Sequence, residues 1–184
     1  MTSTRYIALL RGINVGRAKR VAMADLRALV AELGHTDVRS LLNSGNIVFS
    51  AGNIDPLAAA AAIEEAMVLK VGVAARVMVL AASDLAAVLA ENTLLPLASD
   101  HARLLVFLLP DTQARAALAP LCERDWGEGA LALGQRAAYV WCPDGVLDSP
   151  AAAVLGKQLG DTTTSRNWNT LCKLYALCTE AAPA

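Results

Sequence analysis

The feature that most constrains the fold is an order of short apolar and helical segments that occurs twice along the chain. In the first half, an apolar run is followed by a helix, two extended runs joined by a turn, a second helix and another extended run. We predict a strand over 6–13, a helix over 23–33, strands over 37–42 and 46–51, a helix over 55–70 and a strand over 73–81. The order β-α-β-β-α-β is typical of the split βαβ, ferredoxin-like arrangement.

The second half repeats this order after a helical connector, which we predict to begin with a helix capped by Ser83-Asp84. We predict a strand over 103–109, a helix over 111–122, a hairpin of 129–133 and 136–142, a helix over 149–160, a strand over 162–166 and a last helix capped by Asn169. The sequence therefore predicts an α+β protein with two ferredoxin-like (βαββαβ) halves in tandem and a C-terminal helix. The predicted bounds are 1–82 and 101–184 for the halves and 83–100 for the connector, with both halves sharing one compact unit.

Turn and capping residues support these boundaries. Asp55-Pro56 and Ser149-Pro150 each place a capping side chain before a proline, which is a common start of a helix. Gly34 follows the last apolar residue of its predicted helix, where a helix-ending glycine is expected. Residues 43–46, Asn-Ser-Gly-Asn, join two extended runs and tolerate positive φ, so we predict a hairpin turn there.

The charge balance argues against a generally basic nucleic-acid binder, because the net charge is −1. The charges are unevenly placed, since the first twenty residues contain five cations and no acid. These cations are Arg5, Arg11, Arg17, Lys19 and Arg20. The N-terminal segment is therefore the part of the chain most suited to an anionic partner.

The apolar content excludes intrinsic disorder, because hydrophobic residues make up 55% of the chain. Charged residues interrupt every long apolar run before it reaches the length of a signal peptide or a membrane-spanning helix; Arg11, Lys70 and Arg76 do so in the best candidates. We therefore expect a cytoplasmic protein that does not enter a membrane.

Familiar catalytic and cofactor motifs are absent from the sequence. It contains no G-x-x-x-x-G-K-[ST], no G-x-G-x-x-G, no H-E-x-x-H and no G-x-S-x-G. The cysteines have no C-x-x-C spacing, so we predict reduced thiols, no metal site and no cofactor. They are Cys122, Cys142, Cys172 and Cys178. Whether the protein is an enzyme stays open at this point.

Three amide-rich segments carry more polar residues than folding alone requires: 11–16 (RGINVG), 43–46 (NSGN) and 162–170 (TTTSRNWNT). Together with the longer runs LNSGNIVFS and RNWNT, they resemble the bacterial family known as domain of unknown function 1697, over nearly the whole chain. The resemblance implies a fold and no activity. The chain departs from the family's usual pattern at three places. Arg17 stands where a second glycine is common, and Ser165 stands where threonine is usual. Asp148-Ser149-Pro150 occupies a stretch that often carries basic residues beside the serine.

The predicted topology brings two of these segments together. In a split βαβ sheet, the end of the first strand lies at the same edge as the hairpin turn. We therefore expect a candidate ligand site that contains Arg11, Asn14, Asn43, Ser44 and Asn46, with added positive potential from Arg17, Lys19 and Arg20. Backbone amides, asparagine donors and a guanidinium suit an anion or a base edge.

The third segment adds Arg166, Asn167 and Asn169 as candidate ligand-binding residues. Most of these candidate residues also have a purely structural interpretation. Turn chemistry explains all of residues 43–46, Asn167 and Asn169 suit helix caps, and an internal ion pair is as good an explanation for Arg11 as a ligand.

Three functional hypotheses follow. The leading one is a cytosolic binding module for a small anionic ligand, a nucleotide or single-stranded nucleic acid, at residues 11–20 and 43–46. The first alternative is an enzyme of unrecognised class that uses the same edge, which would need a carboxylate or histidine near Arg11 and Asn14. The second is a homo-oligomeric interaction module, a homodimer in the simplest case, which a large exposed apolar patch would favour.

Overall fold

A computed structural model describes residues 3–16 and 20–180. The chain divides into two compact units: Met1–Leu85 with Lys173–Ala184, and Ala86–Cys172. No helix in the described ranges is both long and apolar enough to cross a membrane.

The first unit contains a four-stranded antiparallel sheet with two helices. Its elements are β1 (Thr4–Arg11), α1 (Met23–Glu32), β2 (Thr36–Leu41), β3 (Asn46–Ala51), α2 (Pro56–Ala66), a π-helical turn (Met67–Val71) and β4 (Arg76–Ala81). The strand order is β2-β3-β1-β4, so β1 lies between β3 and β4. This order is that of the ferredoxin-like arrangement.

One face of this sheet and both helices enclose an apolar core. Alternate residues of β1, namely Tyr6, Ala8 and Leu10, are buried in it. Leu26 of α1 and Ile63 of α2 are fully buried in the same cluster. Because strand side chains alternate between faces, Arg11 lies on the face opposite to this core.

The second unit repeats the arrangement. The elements from residue 82 onward are α3 (Ala82–Ala90), β5 (Leu104–Leu108), α4 (Thr112–Leu118), a 3₁₀ turn (Ala119–Glu123), β6 (Ala130–Leu133), β7 (Ala137–Trp141), α5 (Pro150–Leu159), a 3₁₀ turn (Gly160–Thr162), β8 (Thr164–Asn167) and α6 (Trp168–Thr179). Helices α3 and α6 cross the boundary between the two units in sequence. The sheet order β6-β7-β5-β8 is the equivalent of that in the first unit. The predicted α+β class, with a βαββαβ order in each half and a C-terminal helix, is confirmed.

The predicted helix starts are confirmed at two prolines. The Asp55 carboxylate accepts a hydrogen bond from the Leu57 N–H at 3.0 Å, with Pro56 as the first helical residue. The Ser149 hydroxyl accepts one from the Ala152 N–H at 3.2 Å, ahead of Pro150. Local capping chemistry therefore determines where both of these helices begin, as expected from the sequence.

Three predicted boundaries are wrong. The helix predicted over 111–122 is an α-helix only as far as Leu118 and continues as a 3₁₀ turn, because Pro120 has no N–H for the helical ladder. The helix predicted to be capped by Ser83-Asp84 begins at Ala82, so both residues lie in its first turn. The Asp84 carboxylate accepts a hydrogen bond of 3.4 Å from the N–H of Ala81, the residue before the helix. The strand expected from residue 73 begins at Arg76, after the π-helical turn ends at Gly72, which has a φ of +71°.

Candidate functional site

The end of β1 and the hairpin turn between β2 and β3 lie against each other in the first unit. The Leu10 N–H donates to the Gly45 carbonyl at 2.8 Å. The Asn14 side-chain amide donates to the Asn43 carbonyl, also at 2.8 Å. The structure therefore brings Arg11 and Asn14 to the same edge as Asn43, Ser44 and Asn46.

The contact between the two segments is close enough to require glycine at position 45. Gly45 has a φ of +83°, and a Cβ added there would lie 2.8 Å from both Ile13 Cδ1 and Leu10 Cβ. Ile13 is buried, so its side chain has little room to move away. Both the backbone conformation and the space available therefore exclude a larger residue.

Asn14 holds the loop after β1 in place. Its side-chain nitrogen donates to the Val21 and Asn43 carbonyls at 3.0 and 2.8 Å, and its side-chain oxygen accepts from the Val21 N–H at 2.7 Å. Its own carbonyl accepts from the Arg20 guanidinium at 3.0 Å. Because both amide hydrogens are in use, Asn14 acts in this structure as a brace, and its amide has no hydrogen left for a ligand.

The backbone of residues 12–16 alternates in the sign of φ. Gly12, Asn14 and Gly16 have φ values of +86°, +55° and +58°, whereas Ile13 and Val15 have negative φ. Such alternation is the geometry that turns successive N–H groups toward one concavity, a nest for an anion. Within the described residues, none of the five N–H groups donates a hydrogen bond. The loop is thus braced by side chains, and the N–H groups of its exposed residues Gly12, Val15 and Gly16 remain available to a ligand.

Two arginines face each other across neighbouring strands beside this loop. Arg11 is the register partner of Arg76, the first residue of β4. Arg76 also makes a long ion pair with Glu64, at 3.7 Å. Like charges opposite each other in a sheet are unfavourable, and an anion between them would relieve the repulsion. The predicted contributions of Arg17 and Lys19 lie outside the described residues.

The hairpin turn itself is held by a buried asparagine. Asn46 is fully buried and donates to the Leu41 carbonyl and to the Ser44 hydroxyl, each at 2.9 Å. Asn43 and Ser44 are exposed at the tip of the turn. Asn46 therefore positions the turn, and Asn43 and Ser44 are the residues of this segment that solvent can reach.

Leu42 in this turn has an unusual conformation. Its φ is +59°, a left-handed value that costs a residue with a Cβ about 1–2 kcal/mol. Its side chain is 55% exposed, so core packing does not explain the choice of leucine. Val15, in the loop held against this turn, is 68% exposed. Two exposed apolar side chains thus accompany the polar groups of this edge.

The third predicted segment, residues 162–170, lies in the second unit. Arg166 of β8 is partly buried and donates to the Thr164 hydroxyl and the Ser165 carbonyl, each at 2.8 Å. Burial lowers the pKa of Arg166 to about 10. A guanidinium held in this way remains charged at neutral pH.

The predicted cap of the last helix, Asn169, is wrong by two residues. The Asn167 side chain accepts from the Thr170 N–H at 2.9 Å, so Asn167 caps α6, and Asn169 lies exposed in its first turn. The reason is that β8 extends to Asn167, where the chain leaves the sheet and turns directly into the helix.

A cavity of about 290 Å³ lies at the start of α5 in the second unit. It contains the Asp148-Ser149-Pro150 segment in which the chain departs from the family pattern, and Trp126, Glu128 and Asp144 also line it. Its three carboxylates give it an acidic lining, which does not suit an anion. The polar edge of the first unit is therefore the better candidate for an anionic ligand.

Catalytic groups are not prominent among the described residues. Burial raises the pKa of Cys122, Cys142, Cys172 and Cys178, the last to about 11, so none is a thiolate nucleophile at neutral pH. No group of three or more His, Cys, Asp or Glu side chains in the described ranges could hold a metal ion. Asn14 makes no hydrogen bond to a carboxylate or histidine there.

Sequence reasoning missed Arg76, Leu42 and Val15 at this edge. The position of Arg76 could have been inferred, because β4 pairs antiparallel with β1 and a residue near its start must face the end of β1. The conformation of Leu42 had no sequence signal, since a leucine in a turn does not indicate positive φ.

Comparison with known proteins places these features in a family without assigned function. Residues 3–139 match the family described as "Protein of unknown function (DUF1697)". The conserved bacterial protein SP0830 from Streptococcus pneumoniae has a similar structure, with a TM-score of 0.77 over 97% of this chain and 100% of that chain. The two sequences are 24% identical, so the likeness shows the fold alone. No curated protein matched.

Proposed function

The chain belongs to the DUF1697 family of proteins of unknown function, and we propose that it is a cytosolic binding module for a small anionic ligand. The site is the loop of residues 12–16 together with the turn of residues 42–45, which we call the polar edge. A nucleotide or a short stretch of single-stranded nucleic acid would supply the anion as a phosphate group.

The observation that carries this proposal is the set of unused N–H groups in residues 12–16. Unpaired backbone donors are normally satisfied by the fold or by water, and here they sit in a loop of alternating φ. Because Asn14 and the buried Ile13 already fix the loop, little conformational entropy would be lost when an anion binds.

The cations around the loop support the same proposal. Arg11 and Arg76 face each other at the end of β1, and Arg20 lies against the Asn14 carbonyl. A guanidinium gives a phosphate strong, charge-assisted hydrogen bonds, and two of them would tie the anion to the edge. In this scheme Asn14 and Asn46 position the loop and the turn, and the ligand contacts the backbone N–H groups and the guanidinium groups of Arg11, Arg20 and Arg76.

The proposal is tested by isothermal titration calorimetry of the purified chain with inorganic phosphate, AMP and a short single-stranded oligonucleotide. We expect Arg11→Ala to weaken binding of the phosphate-containing ligand by roughly tenfold or more, since a hydrogen bond to a charged group contributes about 1.5–3 kcal/mol. Lys157→Ala is the matched control, because Lys157 is an exposed cation in α5 of the other unit.

A second pair of variants tests the loop rather than its charge. Gly12→Ala introduces a Cβ at φ +86°, and Gly34→Ala introduces one at φ +91°, in both cases into open space. The two should lose similar stability, but only Gly12→Ala should weaken binding. If the wild-type chain binds none of the three ligands, or if Arg11→Ala and Lys157→Ala bind them equally well, the proposal is wrong.

A second candidate, a homo-oligomeric interaction module, is favoured by exposed apolar residues at α2 and the turn that follows it. Leu57 is 80% exposed and Leu69 is 75% exposed. Burial of such side chains between two copies would stabilise a dimer. Light scattering after size-exclusion chromatography tests whether the chain forms a dimer. Leu69→Glu should convert the dimer to a monomer. A wild-type chain that is monomeric at high concentration would exclude the interaction module.

A further inference from the structure

We propose that the polar edge takes an organic phosphate with an apolar or planar group, of which a mononucleotide is the simplest probe, in preference to free phosphate. Leu42 and Val15 would contact that group. This inference rests on the proposed function, because it names the class of ligand for the same site.

Leu42 is the first observation behind it. A residue at φ +59° in a hairpin turn is ordinarily glycine, asparagine or aspartate, which adopt that conformation at low cost. Leucine gains nothing from the core here either, because its side chain is 55% exposed. Backbone strain that neither the turn nor the core explains points to a role in contacts outside the fold.

The position of Leu42 relative to the loop is the second observation. The hydrogen bond of 2.8 Å from the Asn14 side chain to the Asn43 carbonyl fastens the two segments together. Leu42 precedes one bonded residue and Val15 follows the other, so each Cα lies only about 3.8 Å from that of a bonded residue. Val15 is 68% exposed and belongs to the loop with the unused N–H groups.

The polar and the apolar groups at this edge would contact different parts of the ligand. N–H groups and guanidinium groups suit a phosphate, whereas exposed aliphatic side chains suit the flat face of a base or another ring. Inorganic phosphate would use only the first kind. A phosphate that carries a base or another apolar group uses both, and covering roughly 55 Å² of apolar surface corresponds to about a tenfold gain in affinity.

The experiment compares AMP with ribose 5-phosphate, which has the same charged group and no base. Calorimetric titration of the wild-type chain should show AMP binding about tenfold more tightly. Leu42→Asn keeps a residue that tolerates positive φ and removes the apolar side chain. It should reduce that preference to about twofold or less by weakening the binding of AMP, and it should leave the melting temperature equal or higher.

Leu57→Asn is the matched control. It makes the same chemical change at an exposed leucine near the start of α2. The hairpin turn precedes β3, whereas α2 follows the opposite end of that strand. The control should keep the full preference for AMP.

Two results would overturn the inference, and they are distinguishable. If both phosphates bind in an Arg11-dependent way and Leu42→Asn keeps the wild-type preference, the anion site stands and the apolar contact is wrong. If neither compound binds the wild-type chain, the proposed function fails and this inference fails with it.

Discussion

The side-chain amide of Asn14 donates a hydrogen bond of 2.8 Å to the main-chain carbonyl of Asn43, 29 residues away in the sequence. This bond joins the loop after β1 to the hairpin between β2 and β3. The same side chain makes two further bonds to Val21, which close the loop on itself. Asn14 is therefore one of the residues that fix the geometry of the polar edge, beside Asn46 in the turn.

Replacing Asn14 should be costly for stability. Asn14→Ala removes three hydrogen bonds and introduces a residue that disfavours φ +55°, so we expect the free energy of unfolding to fall by about 2–4 kcal/mol. Asn14→Gly keeps the backbone conformation and should lose only the hydrogen-bond part. Urea denaturation measures both, with the exposed Asn53→Ala as control; equal midpoints for Asn14→Ala and Asn53→Ala would contradict the role assigned to Asn14.

Gly45 and Gly34 form a matched pair for the close contact between the loop and the hairpin. Gly45→Ala places a Cβ 2.8 Å from Ile13 Cδ1 and Leu10 Cβ, whereas at Gly34 the space is open, and both have positive φ. We expect a loss of about 2–4 kcal/mol for Gly45→Ala and about 1 kcal/mol for Gly34→Ala. Thermal melts of the two variants give the comparison, and a smaller loss at Gly45 would mean that the two segments are not in tight contact.

The cap of α6 can be tested by two single substitutions. Asn167 accepts from the Thr170 N–H, whereas Asn169 is exposed in the first turn. Asn167→Ala should lower the free energy of unfolding by about 1 kcal/mol, and Asn169→Ala should change it by less than about 0.5 kcal/mol. Chemical denaturation distinguishes them, and the reverse order would place the cap at Asn169.

Asp37 should make the protein less stable at acid pH. Burial acts to raise the pKa of Asp37, but hydrogen bonds from Arg39 and Arg5 outweigh it, and the pKa lies below its ordinary value of 3.8. A depressed folded-state pKa means that the stabilisation is complete above the unfolded value and is lost as the pH falls through the folded one. Asn also tolerates the φ of +45° at this position, so Asp37→Asn isolates the charge.

The measurement is the urea midpoint of wild type and Asp37→Asn between about pH 7 and about pH 2. The wild type should be more stable at neutral pH, and the difference should shrink at the acid end. The exposed Asp144→Asn serves as the control. A difference that does not depend on pH would show that the carboxylate charge contributes nothing.

His35 should make the stability of the protein depend on pH in a second, less acidic range. Burial lowers the pKa of His35 from 6.5, and its ring centroid lies 4.4 Å from that of Phe49. As the pH falls below 6.5, the unfolded chain takes up a proton before the folded protein does, so stability declines through this range. His35→Gln should flatten the decline, and the exposed His101→Gln should keep it; equal slopes in both variants would exclude His35 as the cause.

Much of the fold could be predicted because its signals are local. The turn at residues 43–46, the caps Asp55 and Ser149 and the stop at Gly34 each act on neighbouring backbone groups, and the structure has all of them. The meeting of β1 with the hairpin followed from antiparallel topology. The early end of α4 was not predicted, although Pro120 was a local signal for it, because proline removes a helical donor.

The candidate site was predictable in position but less so in the roles of its residues. Asn14 and Asn46 were expected to offer donors to a ligand, yet both donate to carbonyls and hydroxyls of the fold. The sequence shows the same asparagine in a loop whether its side chain bonds to the backbone or faces solvent. Only the distances to Val21, Asn43 and Leu41 distinguish the two cases.

The sequence by itself determined the α+β class, the repeated strand order and the edge at which polar residues gather, because apolar periodicity and turn chemistry are properties of adjacent residues. The tertiary structure decided that Arg11 faces Arg76, that Asn14 reaches Val21 and Asn43, and that Leu42 has positive φ. Each of these depends on strand register or on a contact across the fold, and the energy of such a contact exists only once distant segments have come together.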